Sequence, residues 1–93
     1  MALNGIDVSG HQSSSTLSEW LPKVDFVIVK ATEGKGYKST GYASHVAAAR
    51  KAGKLVGHYH YAWPENGAAI DAANFLDSIG KLPAGEVPVL LFL

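Results

Sequence analysis

The chain contains no cysteine, so neither a disulfide nor a thiolate metal site can staple the fold, and packing must hold it. It has no surplus of charge: eight Lys and Arg are matched by eight Asp and Glu, mixed along the chain. That balance removes the one-signed field with which a nucleic-acid binder or a polybasic membrane binder gathers its partner, and it leaves an uncharged or zwitterionic partner. No apolar run approaches membrane-spanning length. The opening Met1-Ala2-Leu3-Asn4 has neither the basic nor the apolar region of a signal peptide, which predicts synthesis in the cytoplasm without one and any export by another route. No cofactor fingerprint is present. Gly34 and Gly36 punctuate a loop without the spacing that cradles a phosphate.

What is present is a composition of 47% hydrophobic and 17% charged residues over 93 positions, which fits one small globular unit. At this length folding buries roughly 60–65% of the unfolded chain's surface, so the core is thin.

Gly5-Ile6-Asp7-Val8 reads as a short strand that ends on a carboxylate, before the chain breaks at Gly10 and continues through His11 and Gln12. After the serine run 13–15, a loop with helix-cap candidates of its own, Thr16-Leu17-Ser18-Glu19 has the capping-box pattern of a helix start, and Pro22 closes that helix. Phe26 to Thr32 is a continuous β-branched and aromatic run, the pattern of a strand covered on both faces. The loop 33–38 leads to a helix in which Tyr42, Val46 and Ala49 share one face, closed by Arg50, Lys51 and Gly53. Leu55 to Ala62 forms a third strand. In the next helix Ala69, Ala72, Ala73, Leu76 and Ile79 are predicted to face the core, with Asp71, Asn74 and Asp77 turned away, and Gly80 stops it. Val87 to Leu93 is a fourth strand of the buried type. The order β-α-β-α-β-α-β with long crossovers predicts parallel strands, hence an α/β sheet or part of a (β/α) barrel. A final apolar strand with no covering helix predicts a piece of a larger fold or one completed by a partner, such as a second copy or a complementing half pairing with the exposed strand edges.

In parallel α/β folds functional groups collect at the carboxyl ends of the strands. That rule selects Asp7 with His11, then Glu33, then Tyr59, Tyr61 and Trp63. Carboxylates beside flat aromatic rings are what a glycosidase needs: an acid for the leaving oxygen, a second carboxylate at the anomeric centre, and platforms for sugar faces. Each residue has a plainer reading. Asp7 reads equally as a loop carboxylate bonding nearby amides, and Glu33, close to Lys30 and Lys35, as an ion-paired loop residue. Tyr59, Tyr61 and Trp63 can be packing residues. His58 and His60 share one strand face, but no third ligand stands at a recognisable spacing, so a hydrogen-bonded core pair is favoured over a metal site.

Gly5–Gln12 (GIDVSGHQ), Phe26–Gly34 (FVIVKATEG), Ala52-Gly53 and Gly57–Trp63 (GHYHYAW) occur in the order of, and resemble, the N-terminal half of the glycoside hydrolase family 25 lysozymes, the N-acetylmuramidases of phages, bacteria and some fungi. The resemblance implies residues 1–93 as a single truncated catalytic domain, about half of a TIM-like β/α barrel. It implies cleavage of the β-1,4 bond between N-acetylmuramic acid and N-acetylglucosamine in peptidoglycan, on the cell wall, by a phage-type or secreted enzyme. By the same resemblance Asp7 matches the first active-site aspartate, Glu33 a rim carboxylate and Tyr59 a tyrosine of the sugar cleft. The family's Asp-x-Glu at the end of strand four, whose Glu is the general acid, is absent from these 93 residues. Without it the chain alone is expected to have little or no activity, and a sugar-binding or self-associating module is the alternative.

Overall fold

The computed structural model of the chain describes residues 3–91. The expected strand positions Phe92 and Leu93 lie outside that range. Strands β1 (Gly5–Val8), β2 (Phe26–Glu33), β4 (Leu55–Tyr61) and β5 (Val87–Leu91) lie parallel in the order β1-β2-β4-β5, and helices α1 (Ser14–Trp20), α2 (Tyr42–Lys51) and α3 (Ala68–Ile79) connect them. The predicted α/β order is therefore the observed one. One element was not anticipated: β3 (Tyr37–Lys38) folds back antiparallel on the end of β2, pairing Thr32 with Lys38 and Glu33 with Tyr37. The sheet does not close. β1 and β5 each keep one edge unpaired among the described residues, as in part of a barrel.

Alternation along the strands gives the sheet two different faces. On one, Val8, Val27, Val29 and Val56 pack with Leu17 and Leu21 of the first connection and Val46 and Ala49 of α2 into the apolar core. At α1 the N-cap is Ser13, one of the cap candidates of the serine run, rather than Thr16 of the capping-box pattern; its hydroxyl accepts from the Thr16 amide at 3.2 Å.

The larger correction concerns α3. Asp71, Asn74 and Phe75 are its buried residues, whereas Ala69, Ala72, Ala73 and Leu76 are exposed, so the predicted faces are reversed at these positions, while Asp77 is exposed as expected and Ile79 is half-buried. The cause is in β4, whose helix-side residues are His58 and His60 rather than aliphatics. Both imidazoles are fully buried and both have both nitrogens engaged. His60 Nε2 donates to Asp71 Oδ1 (2.6 Å), and Nδ1 accepts from the Thr32 hydroxyl (2.7 Å). His58 Nε2 donates to Glu86 Oε1 (2.7 Å), and Nδ1 accepts from the Tyr42 phenol (2.7 Å). A neutral Nε2–H imidazole satisfies every one of these contacts. A helix laid over such a sheet needs polar groups at the contact, and Asp71 and Asn74 supply them. The favoured reading of the histidines as a core pair therefore holds.

Glu86, in the turn before β5, ties that strand to the body of the fold: Arg50 Nε and Nη2 donate to its two oxygens at 2.7 Å each while His58 takes Oε1. The Arg50 guanidinium, then the His58 imidazole, hold its carboxyl down to about 2. Burial pushes the Tyr42 phenol up and so keeps it a donor. β5 itself is poorly covered: Val87, Leu90 and Leu91 are all exposed, Leu90 at 53%. Among the described residues no helix is long and apolar enough to cross a membrane.

A depressed carboxyl pKa contributes stability that is complete above its unfolded value and lost as pH falls through the folded one. Glu86 should therefore give up to about 3 kcal/mol that is intact above about pH 5 and gone near pH 2, less what solvent screens at the half-exposed Arg50. Urea melts between pH 6 and 2 should show the decline, and Glu86→Gln should flatten it while lowering stability at pH 6. Leu17, 1% exposed on the inner face of α1, should cost about 2–5 kcal/mol as Leu17→Ala, enough to leave so small a domain largely unfolded by circular dichroism at room temperature.

Candidate active site

The other face of the sheet carries the functional candidates. Strand pairing aligns Asp7 with Ile28, Gly57 and Val87 in one row. Two rows nearer the carboxyl ends stand Lys30, Tyr59 and Val89, and beyond them Glu33, Tyr61 and Leu91. The β-bulge between Lys30 and Thr32 keeps Lys30 and Glu33 on the same face despite their odd spacing. Asp7, Glu33, Tyr59 and Tyr61 therefore share one surface, with Asp7 about 7 Å down the strand direction from the Lys30–Tyr59 row.

Glu33 is the centre of the upper group. Its Oε1 pairs with Lys30 Nζ, and its Oε2 accepts from the Trp63 indole N–H at 2.8 Å. The Lys30 hydrogen bond, followed by that of Trp63, lowers the Glu33 carboxyl below its ordinary value against the opposing effect of burial. Glu33 is thus an anion with both oxygens occupied: it fixes the indole and the ammonium, and it is a poor proton donor. The Lys30 ammonium also stands 5.4 Å from the centre of the Tyr37 ring and 5.5 Å from that of Tyr61.

Tyr59 is buried between the two carboxylates. Burial, then the negative charges of Asp7 and Glu33, push its phenol up, so it stays a hydroxyl donor. Asp7 is exposed and makes no side-chain hydrogen bond among the described residues, which leaves both its oxygens available to a ligand. His11 is exposed in the turn that follows.

A hollow of about 490 Å³ opens above this group, lined by Glu33, Gly34, Tyr37, Trp63 and Asn66 among others. Gly34 is needed there twice over. Its φ is +58°, and a Cβ would stand 3.2 Å from the Trp63 ring and 3.4 Å from the Asn66 amide. Asp7 does not line that hollow; it lines a smaller one of about 250 Å³ at the free edge of β1, with Gln12 and Trp20. The structure thus gathers Glu33, Tyr61 and Trp63 closely, places Tyr59 beneath them, and sets Asp7 apart on the same face.

Two contributors were not singled out from sequence. Lys30 was noted only as a neighbour of Glu33, although period two along Phe26, Ile28 and Lys30 already puts it on this face. Asn74 was assigned to solvent. Its side-chain amide instead donates to the carbonyls of Gly34 (3.0 Å), Tyr37 (3.3 Å) and Glu33 (3.4 Å), while its Oδ1 accepts from Lys38 Nζ at 2.6 Å. It clamps the hairpin that carries Glu33 and Tyr37 onto α3. Among the described residues no three metal-ligating side chains converge, and His58 and His60 lie on the opposite face.

The model of the family described as glycosyl hydrolases family 25 matches residues 6–93. Lysozyme M1 of Streptomyces globisporus is 34% identical over 79 residues, covering 84% of this chain and 27% of the relative. An N,O-diacetylmuramidase of Arthroderma benhamiae is 31% identical over 80 residues, covering 85% of this chain and 34% of the relative. The solved structure of a family GH25 lysozyme from Aspergillus fumigatus superposes with a TM-score of 0.81 at 35% identity, covering 95% of this chain and 44% of that one. The chain thus spans about a third of the relatives it matches in sequence and under half of that solved structure. With the family model matching nearly the whole chain and a parallel, open α/β sheet beneath it, the chain belongs to glycosyl hydrolase family 25.

Proposed function

We propose that the chain provides one wall of the glycan cleft of a peptidoglycan-cleaving muramidase. The observation that carries this reading is the shared face on which Asp7, Glu33, Tyr59, Tyr61 and Trp63 stand at the carboxyl ends of parallel strands. Asp7 is the catalytic residue contributed here, a solvent-facing carboxylate free to stabilise positive charge at the anomeric carbon. Trp63 is the stacking platform, held at its N–H by Glu33; Tyr59 and Tyr61 line the floor and hydrogen-bond sugar hydroxyls. The substrate is the glycan strand of peptidoglycan, and the printed names of the relatives, a lysozyme and a diacetylmuramidase, support that choice.

The leaving oxygen still needs a proton. Glu33 is held ionised, Tyr59 is held neutral far from neutrality, and no Asp-x-Glu occurs in the 93 residues. General acid catalysis is worth about 10²–10⁴-fold, so the chain alone has little or no muramidase activity. The open edges of β1 and β5 are where a complementing half of the fold or a second copy attaches. The retained aromatic group also supports a second reading, in which the chain binds cell-wall sugar without cleaving it.

Joined to a polypeptide that completes a family 25 domain, the chain should release reducing sugar from purified cell walls, and Asp7→Asn should reduce that release at least about 10²-fold. Release that Asp7→Asn leaves untouched would refute the assignment of Asp7. The chain by itself, carrying Trp20→Phe so that Trp63 is the lone tryptophan, should show a saturable fluorescence change with muropeptides. Glu33→Ala should weaken that binding about tenfold by removing the acceptor that holds the indole. A flat titration would count against the sugar cleft altogether.

A further inference from the structure

His45 is a buried imidazole that neither the apolar core nor the aromatic group around Glu33 accounts for. It is 3% exposed and closes the first turn of α2. Its Nε2 stands 3.2 Å from the Ser9 carbonyl and 3.1 Å from the Gln12 carbonyl, while its Nδ1 has no partner among the described residues. Carbonyl oxygens only accept, so Nε2 carries the hydrogen and shares it between the two. An aliphatic side chain would fill the same space without burying an unpaired nitrogen; what the imidazole adds is the donor. Helical side chains lean toward the N-terminus of their helix, and His45 thereby reaches back past Gly41 to the loop that follows β1. Gly41, at φ +80°, caps the helix and leaves the ring its room, since a Cβ there would stand 3.4 Å from His45 Nε2.

That loop is a tight turn with its own internal ties. The Gln12 amide donates to the Ser9 carbonyl at 3.1 Å, the Ser9 amide to Gln12 Oε1 at 2.7 Å, and the His11 amide to the Ser9 hydroxyl at 3.3 Å. Two contacts then tie the turn to α2 and its approach. One is the His45 donor, which is all that the Gln12 carbonyl has among the described residues. The other is at Gly10, where a Cβ would stand 2.9 Å from the Thr40 carbonyl. Asp7 lies two residues before this turn. Its carboxylate makes no side-chain hydrogen bond among the described residues, so its direction is set by its backbone. On one side that backbone is fixed by pairing with β2 and by Val8 in the core, and on the other by the turn that His45 holds.

We propose that His45 is a positioning residue for the Asp7 carboxylate: its Nε2–H grips both ends of the 9–12 turn and so fixes the angle at which β1 presents Asp7 to the glycan. This rests on the reading of Asp7 as the catalytic carboxylate. A group that stabilises charge at one carbon acts only from a narrow range of positions, and a misplacement of about 1 Å can cost about 10²-fold in rate. Loosening the turn re-aims Asp7 and leaves Tyr61 and Trp63, which bind the sugar, where they are. The loss therefore falls on kcat and spares KM.

In the completed family 25 domain, with soluble peptidoglycan fragments as substrate, His45→Leu should lower kcat at least about tenfold and leave KM within about twofold. His45→Gln, whose amide N–H reaches the same carbonyls, should keep kcat within about threefold of the parent. Should His45→Leu unfold the domain, His45→Asn takes its place: its amide is one methylene too short to reach, and kcat should fall as for leucine. Gly10→Ala, at an exposed site, pushes the turn off Thr40 and should lower kcat in the same way with the far-ultraviolet spectrum intact. On an Asp7→Asn background each change should cost less than about twofold more, because a residue acting through Asp7 has nothing left to position. A merely structural role would instead keep its full cost on that background, and that result would overturn the proposal. An undiminished kcat in the apolar variant, where Asp7→Asn is strongly impaired, would overturn the role of His45 alone. An Asp7→Asn domain as active as the parent would overturn the reading of Asp7 and this role with it.

Discussion

The hydrogen-bonded line from Thr32 through His60 to Asp71 fixes more of this molecule than any apolar contact does. It runs across the helix-side face of the sheet and sets where α3 lies, because Asp71 in the first turn of that helix must meet the imidazole at 2.6 Å. The same carboxylate oxygen takes the Trp63 amide and so fixes the chain where it leaves β4. One turn further along α3, Asn74 reaches over the sheet edge to three carbonyls of the 33–37 hairpin. Glu33 and Trp63 are thereby positioned by α3, which holds the backbone at both residues.

Such a line also constrains what the fold can tolerate. A buried polar network is worth keeping only when every member is satisfied. Within this line both nitrogens of His60 have partners, and one oxygen of Asp71 has none among the described residues. That single exception stands at the border of β5, where both faces of the last strand are exposed. The unsatisfied oxygen and the exposed strand thus lie side by side. At the other network, Glu86 has no such deficit: Arg50 and His58 occupy it fully, and β5 is anchored at its start while its body stays open.

The strands were legible because their signals are local. Phe26 to Thr32 and Leu55 to Tyr61 are rich in β-branched and aromatic residues, bounded by Asp25, the Glu33–Lys38 loop and Trp63-Pro64, and alternation, shifted once by the bulge between Lys30 and Thr32, separates the core face from the functional face. The α3 face was misread because the hydrophobic pattern of a helix predicts its buried side only when the surface beneath is apolar. His58 and His60 were visible in the sequence, but their demand for carboxylate and hydroxyl partners falls on residues 11 to 28 positions away, and no local pattern carries that information. β3 escaped for a similar reason. Two residues are too few to show alternation, and its pairing with β2 depends on the Asn74 clamp.

The site divides along the same line between local and distant causes. Asp7, Glu33, Tyr59, Tyr61 and Trp63 were found by the position of strand ends, and the rows of the sheet put them on one face. Their different protonation behaviour was not visible there. Glu33 is lowered because a lysine three residues back and an indole thirty residues ahead both donate to it; Tyr59 is raised because it is buried between two anions. Two carboxylates on one face can divide the labour of glycoside hydrolysis only if one of them can hold a proton. Glu33 is held in its ionised form by Lys30 and Trp63, an environment that does not favour a protonated acid. The division of labour proposed above therefore needs an acid other than Glu33.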